Sequence, residues 1–175
     1  ILFADPALDR ATATAAFAAF RGCGQSCTQG SRVLVERSVY DQVVAGVADR
    51  ARRVRIGDPF DDATFMGPHT FEEKLENTLS YIEIGKREGA EAVVEGGRPD
   101  DGNGGYWITP TLFSGVRKHM TVAQEEIFGP VVTVIPFDDE EEAVAIANDV
   151  MYGLAAGLWT SDLAQRYGLL IVGGA

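Results

Sequence analysis

Cysteine and histidine are scarce in this chain, with two of each among 175 residues. Two cysteines are too few for a disulfide-rich secreted scaffold. A zinc site draws four Cys or His ligands, commonly in closely spaced pairs, and His69 and His119 stand isolated in the sequence, so no metal site is expected. No run approaches the roughly 20 uncharged apolar residues of a membrane span. Basic residues are also few, 15 against 26 acidic ones for a net charge of −11, which argues against the positive footprint that nucleic acid and anionic membrane require. These shortages together lead to the expectation of a soluble, cytoplasmic protein without a nucleic-acid or membrane partner.

What is present suits a globular domain. Apolar residues make up 46% and charged ones 23%, and a chain of this length can bury a core without covalent staples. Part of the acidic excess sits in "DDEEE" at 138–142, which reads as a solvated helix start because carboxylates there complement the helix dipole. Both ends read as cuts through something larger: "ILFADPALDR" opens as if in mid-strand, and "GLLIVGGA" closes without capping residues.

Along the chain, the alanine-rich "ALDRATATAAFAAF" at 7–20 predicts a helix. "SRVLVERSVY" at 31–40 predicts a strand. Helical spacing returns over 39–57, through Val39, Val43, Val47, Ala51 and Val54, and again over 71–89, where Thr70 and Glu73 form a candidate capping box. "AEAVVEGG" predicts a short strand, and 96–105 a loop. Residues 106–116 read as extended, 121–137 as a helical turn running into a strand broken at Gly129-Pro130, and 138–150 as a helix burying Ala143, Val144 and Ala147. A strand at 154–160 and a helix capped by Ser161 follow. Helices alternating with strands at this pace indicate an α/β domain whose open sheet is covered by helices.

Both cysteines lie in "FRGCGQSCTQGSR" at 20–32. Cys23 and Cys27 have i, i+4 spacing, which on a helix would put them on one face. A disulfide would close a very small loop in a reducing compartment, and metal is disfavoured above. A nucleophile is chemically reasonable, because cysteine is already partly thiolate at neutral pH and glycines let backbone N–H groups crowd around Cys27, favouring the thiolate and offering an oxyanion site. Free cysteines are also commonly buried and inert, so spacing alone leaves the two readings open.

"GQSCTQGSR" resembles the active-site segment of the aldehyde dehydrogenase superfamily, in which G-Q-x-C carries the nucleophile. "VYDQVVAGVADRARRVRIGDPFDDATFMGP", "YIEIGKREGA", "GYWITPTLF", "EEIFGPVVTVIPFDDEEEAVAIAND" and "YGLAAGLWT" resemble later segments of that family in the same order. The likeness runs from residue 1 to about 165, leaving 166–175 as an atypical tail. It implies the catalytic-domain portion of an NAD- or NADP-dependent enzyme that oxidises a small-molecule aldehyde. Cys27 would be the catalytic thiol, passing through a thiohemiacetal and a thioester, with its own N–H as an oxyanion donor. Glu126 and Phe128 would be cofactor-binding residues at the ribose and nicotinamide end. Cys23 has no catalytic counterpart.

The resemblance also implies what lies elsewhere. The family's general-base glutamate, its second oxyanion donor (an asparagine) and its Rossmann-like cofactor domain all precede the segment matched here. The expectation is therefore a chain that is inactive alone as a dehydrogenase and forms a homo-oligomer when full length. Two alternatives remain: a non-catalytic binding or structural module using a sheet edge, and a residual cysteine esterase.

Overall fold

A computed structural model describes residues 1–5, 7–99, 104–163 and 165. Among the described residues, four strands form one sheet in the order β1-β4-β3-β2: β1 (Arg32–Glu36), β2 (Glu91–Val94), β3 (Thr111–Ser114) and β4 (Val131–Phe137). The central strand β4 pairs in parallel with β1 and β3, and β2 adds antiparallel to β3. Leu2 and Trp159 extend the sheet past β1 through isolated bridges, Leu2 to Val35 and Leu2 to Trp159.

The strand sequences explain why both faces are covered. Side chains alternate faces along a strand, yet β1 buries Val33, Leu34 and Val35 in succession and β4 buries nearly every residue. Such continuous apolar runs belong to parallel sheets sandwiched between helices. Val33, Val35, Leu112, Val132 and Val134 enter one core with α1 (Leu8–Phe20) and α2 (Tyr40–Arg52). Leu34, Phe113, Val131, Ile135 and Phe137 enter the other. That second core is closed by α3 (Glu72–Arg87), the short α4 (Thr121–Gln124) and α5 (Glu140–Asn148). Pro136, which has no N–H to give, lies beyond the β3 ladder, which ends opposite Thr133. The open sheet covered by helices is the expected α/β architecture.

The acidic run does start a helix. The Asp139 carboxylate accepts from the Glu142 N–H at 2.8 Å, while Glu142 reaches back to the Asp138 N–H at 2.6 Å. In α5 the buried positions are Ala143 and Ile146, with Val144 and Ala147 only half-buried.

Several sequence expectations need correction. The helix read over 39–57 ends at Arg52, because Ile56 is drawn into a bridge with Met66. The extended stretch at 106–116 forms a ladder only over Thr111–Ser114. Residues 154–160 make no strand beyond the single bridge at Trp159. The Thr70–Glu73 capping box does not form: Phe71 occupies the N-cap position of α3 without a side-chain cap, and the Thr70 hydroxyl donates instead to Gln25 Oε1 at 3.1 Å. The tail at 166–175, and most of the helix expected from Ser161, lie outside the described residues.

Candidate active site

The cysteine segment begins where α1 stops at Phe20. Arg21–Gly24 form a single 3-10 turn in which Gly22, Cys23 and Gly24 all take left-handed backbone angles, with φ of 62°, 56° and 66°. Glycine adopts these angles without cost and cysteine does not. The Gln25 N–H closes onto the Gly22 carbonyl at 3.1 Å, and a second turn follows as the Gln29 N–H reaches the Ser26 carbonyl at 3.1 Å. The Ser26 hydroxyl braces this second turn against the Thr28 N–H at 3.4 Å and the Thr28 hydroxyl at 3.2 Å. Cys27 sits at its corner, exposed and unbridged, while Cys23 is buried. The two thiols therefore share no helix face: one is buried and the other exposed, on consecutive turns.

The Glu125–Pro130 segment joins α4 to β4. In it Phe128 also has a left-handed backbone, with φ of 55°. A Cβ at Gly24 would lie 2.2 Å from the carbonyl carbon of Gly129, and a Cβ at Gly129 would lie 2.5 Å from Thr78 Oγ1. Both gaps are far too small for any side chain, so the two glycines allow the cysteine segment, the 125–130 segment and α3 to meet. The Gln29 amide spans the same seam, donating to the carbonyls of Ala19 and Gly129.

Lys74 of α3 holds the 125–130 segment from the other side. Its Nζ donates to the Ile127 carbonyl at 2.8 Å and lies 5.2 Å from the centroid of the Phe128 ring. Burial lowers its pKa below the ordinary lysine range, against the opposing pull of the Glu126 carboxylate. The Glu126 side chain is exposed, and its N–H donates to the Tyr152 hydroxyl at 3.4 Å. Next to it, Tyr81 donates to Glu125 at 2.6 Å, and this bond, helped by burial, pushes the phenol up to about 12.

The fold thus brings the segment carrying Cys27 against the segment carrying Glu126 and Phe128, through Gly24, Gln29 and Gly129 rather than through Cys27 itself. Sequence reasoning missed Lys74, Gln29, Thr78 and His69. His69 looked isolated, yet its Nδ1 lies 3.9 Å from Cys23 Sγ and its Nε2 lies 3.1 Å from Thr78 Oγ1. Burial pushes the Cys23 thiol up to about 12. Burial also pulls His69 down to about 4, with the Lys74 charge adding to the effect. No local pattern signals these contacts, because Cys23 and His69 are 46 positions apart. An open depression of about 440 Å³ lined by Pro59, Pro68, Pro99 and Trp107 includes none of Cys27, Glu126 and Phe128. No group of three or more His, Cys, Asp or Glu side chains that could hold a metal occurs among the described residues. No helix among them is long and apolar enough to cross a membrane.

The aldehyde dehydrogenase family model matches residues 1–168. The chain belongs to the aldehyde dehydrogenase family. A betaine aldehyde dehydrogenase from Brucella anthropi is 44% identical over 169 residues, covering 95% of this chain and 35% of the relative. Among solved structures, the betaine aldehyde dehydrogenase of Staphylococcus aureus in complex with NAD+ superposes with a TM-score of 0.90 at 36% identity, over 94% of this chain and 33% of that one. HpcC from Thermus thermophilus superposes with a TM-score of 0.89 at 44% identity, over 95% and 34% of the two chains. This aldehyde dehydrogenase chain therefore spans about a third of the length of the relatives it matches.

Proposed function

We propose that this chain is the catalytic-domain portion of a longer NAD- or NADP-dependent enzyme that oxidises a small-molecule aldehyde to a carboxylic acid, with Cys27 as nucleophile. The observation that carries the reading is the glycine seam, Gly24 on Gly129, which joins the Cys27 turn to the Glu126–Phe128 segment. An exposed thiol at the corner of a tight turn is open to an incoming carbonyl.

Cys27 adds to the carbonyl carbon as the thiolate, and the resulting oxyanion is held by its own backbone N–H. The tetrahedral adduct is a thiohemiacetal. NAD(P)+, when bound, would supply a hydride acceptor, while Cys27 holds the adduct and then the thioester on its sulfur. Water, or a thiol such as coenzyme A, then takes the acyl group and returns the Cys27 thiol. The residues present fit the ribose and nicotinamide end of the cofactor: an exposed carboxylate at Glu126 suits ribose hydroxyls, and an aromatic ring at Phe128 suits a flat heterocycle. Lys74 holds the Phe128 ring and the Ile127 carbonyl in place. Residues 1–165 make up that catalytic-domain portion. The general base, the second oxyanion donor and the rest of the cofactor site belong to family segments outside these residues, as does assembly into a homo-oligomer.

The test has two arms. An isotopically labelled aldehyde added to the chain gives a thiohemiacetal resonance by NMR that Cys27→Ala abolishes; its absence from the unsubstituted protein sinks the reading. NADH formation by the 175-residue chain alone is expected to be negligible, because hydride transfer needs donor and acceptor held in register.

A further inference from the structure

Buried Cys23, four residues before Cys27, meets His69, which in turn meets Thr78, and the three take no part in the chemistry above. Their proton positions follow from counting donors. The Thr78 hydroxyl has one proton, and we assign it to the Lys74 carbonyl at 3.0 Å, one helical turn back in α3. Toward His69 Nε2, 3.1 Å away, Thr78 can then only accept. His69 therefore carries its proton on Nε2, which leaves Nδ1 bare and facing Cys23 Sγ at 3.9 Å. In that tautomer the Cys23 S–H donates to it.

The arrangement has the outline of a nucleophile, a base and an orienting group, but its surroundings forbid that use. Cys23 and His69 are 1% and 2% exposed, so an ion pair between thiolate and imidazolium would be unsolvated. The chain stays neutral. Two further observations give it a role. Cys23 keeps a side chain at a left-handed position between two left-handed glycines, where an L-residue is strained. The neighbouring Gln25 Oε1 accepts from both the N–H and the hydroxyl of Thr70, at 3.2 and 3.1 Å. The turn before Cys27 is thus pinned twice to the residue pair His69-Thr70.

We propose that Cys23, His69 and Thr78 form a neutral hydrogen-bonded chain of positioning residues that fixes the Arg21–Gly24 turn on α3 and so sets the pose of Cys27 against the 125–130 segment. This rests on Cys27 being the nucleophile. It assigns Cys23 a task in the reaction without making it reactive.

NMR of the isotope-labelled chain reads the His69 tautomer directly. Protonation at Nε2 is expected, and protonation at Nδ1 overturns the proposal. The second readout is the rate of Cys27 alkylation by iodoacetamide, followed by mass spectrometry. Cys23→Ala, which removes the donor, is expected to change that rate by about threefold or more, since the reactivity of a thiol follows its immediate surroundings. Cys23→Ser, which restores a donor, is expected to return it to the unsubstituted value. Equal rates in the Ala and Ser variants overturn the proposal. Should Cys23→Ala fail to fold, Thr78→Val and Thr78→Ser make the same comparison from the other end of the chain. A Cys27 that forms no thiohemiacetal would sink the proposed function alone, leaving the tautomer and the paired rates as measured.

Discussion

Gly24 lies against Gly129 so closely that a Cβ on the former would stand 2.2 Å from the carbonyl carbon of the latter. Gly24→Ala therefore has to move backbone and also strains a residue whose φ is 66°. Overpacking and left-handed strain together predict a loss of about 3 kcal/mol. Urea denaturation checks this, and a loss under about 1 kcal/mol would show that the seam is loose.

The two thiols differ in their surroundings as much as in their turns. Cys27 is exposed and Cys23 is buried, with its thiol pushed up to about 12. Iodoacetamide is expected to label Cys27 in the folded chain and to label Cys23 only once urea is added. Equal labelling of both under native conditions contradicts the placement of Cys23.

His69 makes stability depend on pH. Its pKa falls from 6.5 to about 4 on folding. Between those values the unfolded chain binds the extra proton, so stability is complete above 6.5 and is lost as pH falls through the window toward 4. The contribution is on the order of 3 kcal/mol. Urea midpoints measured across this window should fall more steeply for the unsubstituted chain than for His69→Gln.

Lys74→Met removes the donor to the Ile127 carbonyl and the cation over the Phe128 ring while keeping the length of the side chain. A charged hydrogen bond and a cation–π contact together predict a cost of about 2 kcal/mol. Thermal denaturation reads the cost, and limited proteolysis should show 125–130 cut sooner than any other described loop.

The sequence made the covered sheet legible because its signals are local. The consecutive apolar residues of β1 and β4 and the acidic start of α5 each lie within a few positions. The capping box failed because Thr70 found a better partner in Gln25, 45 residues away. At 154–160 only Trp159 bridges to the sheet, through Leu2. At the candidate site, motif resemblance is what singles out Cys27, Glu126 and Phe128. It does not single out Lys74, Thr78 and His69, since they act through contacts that only the folded chain creates.

Cys23 and Phe128, the two left-handed residues other than glycine among the described residues, flank the seam from opposite sides. Neither backbone shape is one its own sequence prefers, so each is imposed by packing from the other strip of chain. A synthetic peptide copying residues 20–32 would relax out of these turns, and its thiol would behave as that of any small cysteine peptide. Screening inhibitors against such a mimic would select for generic thiol reactivity and miss the shape that the assembled seam presents.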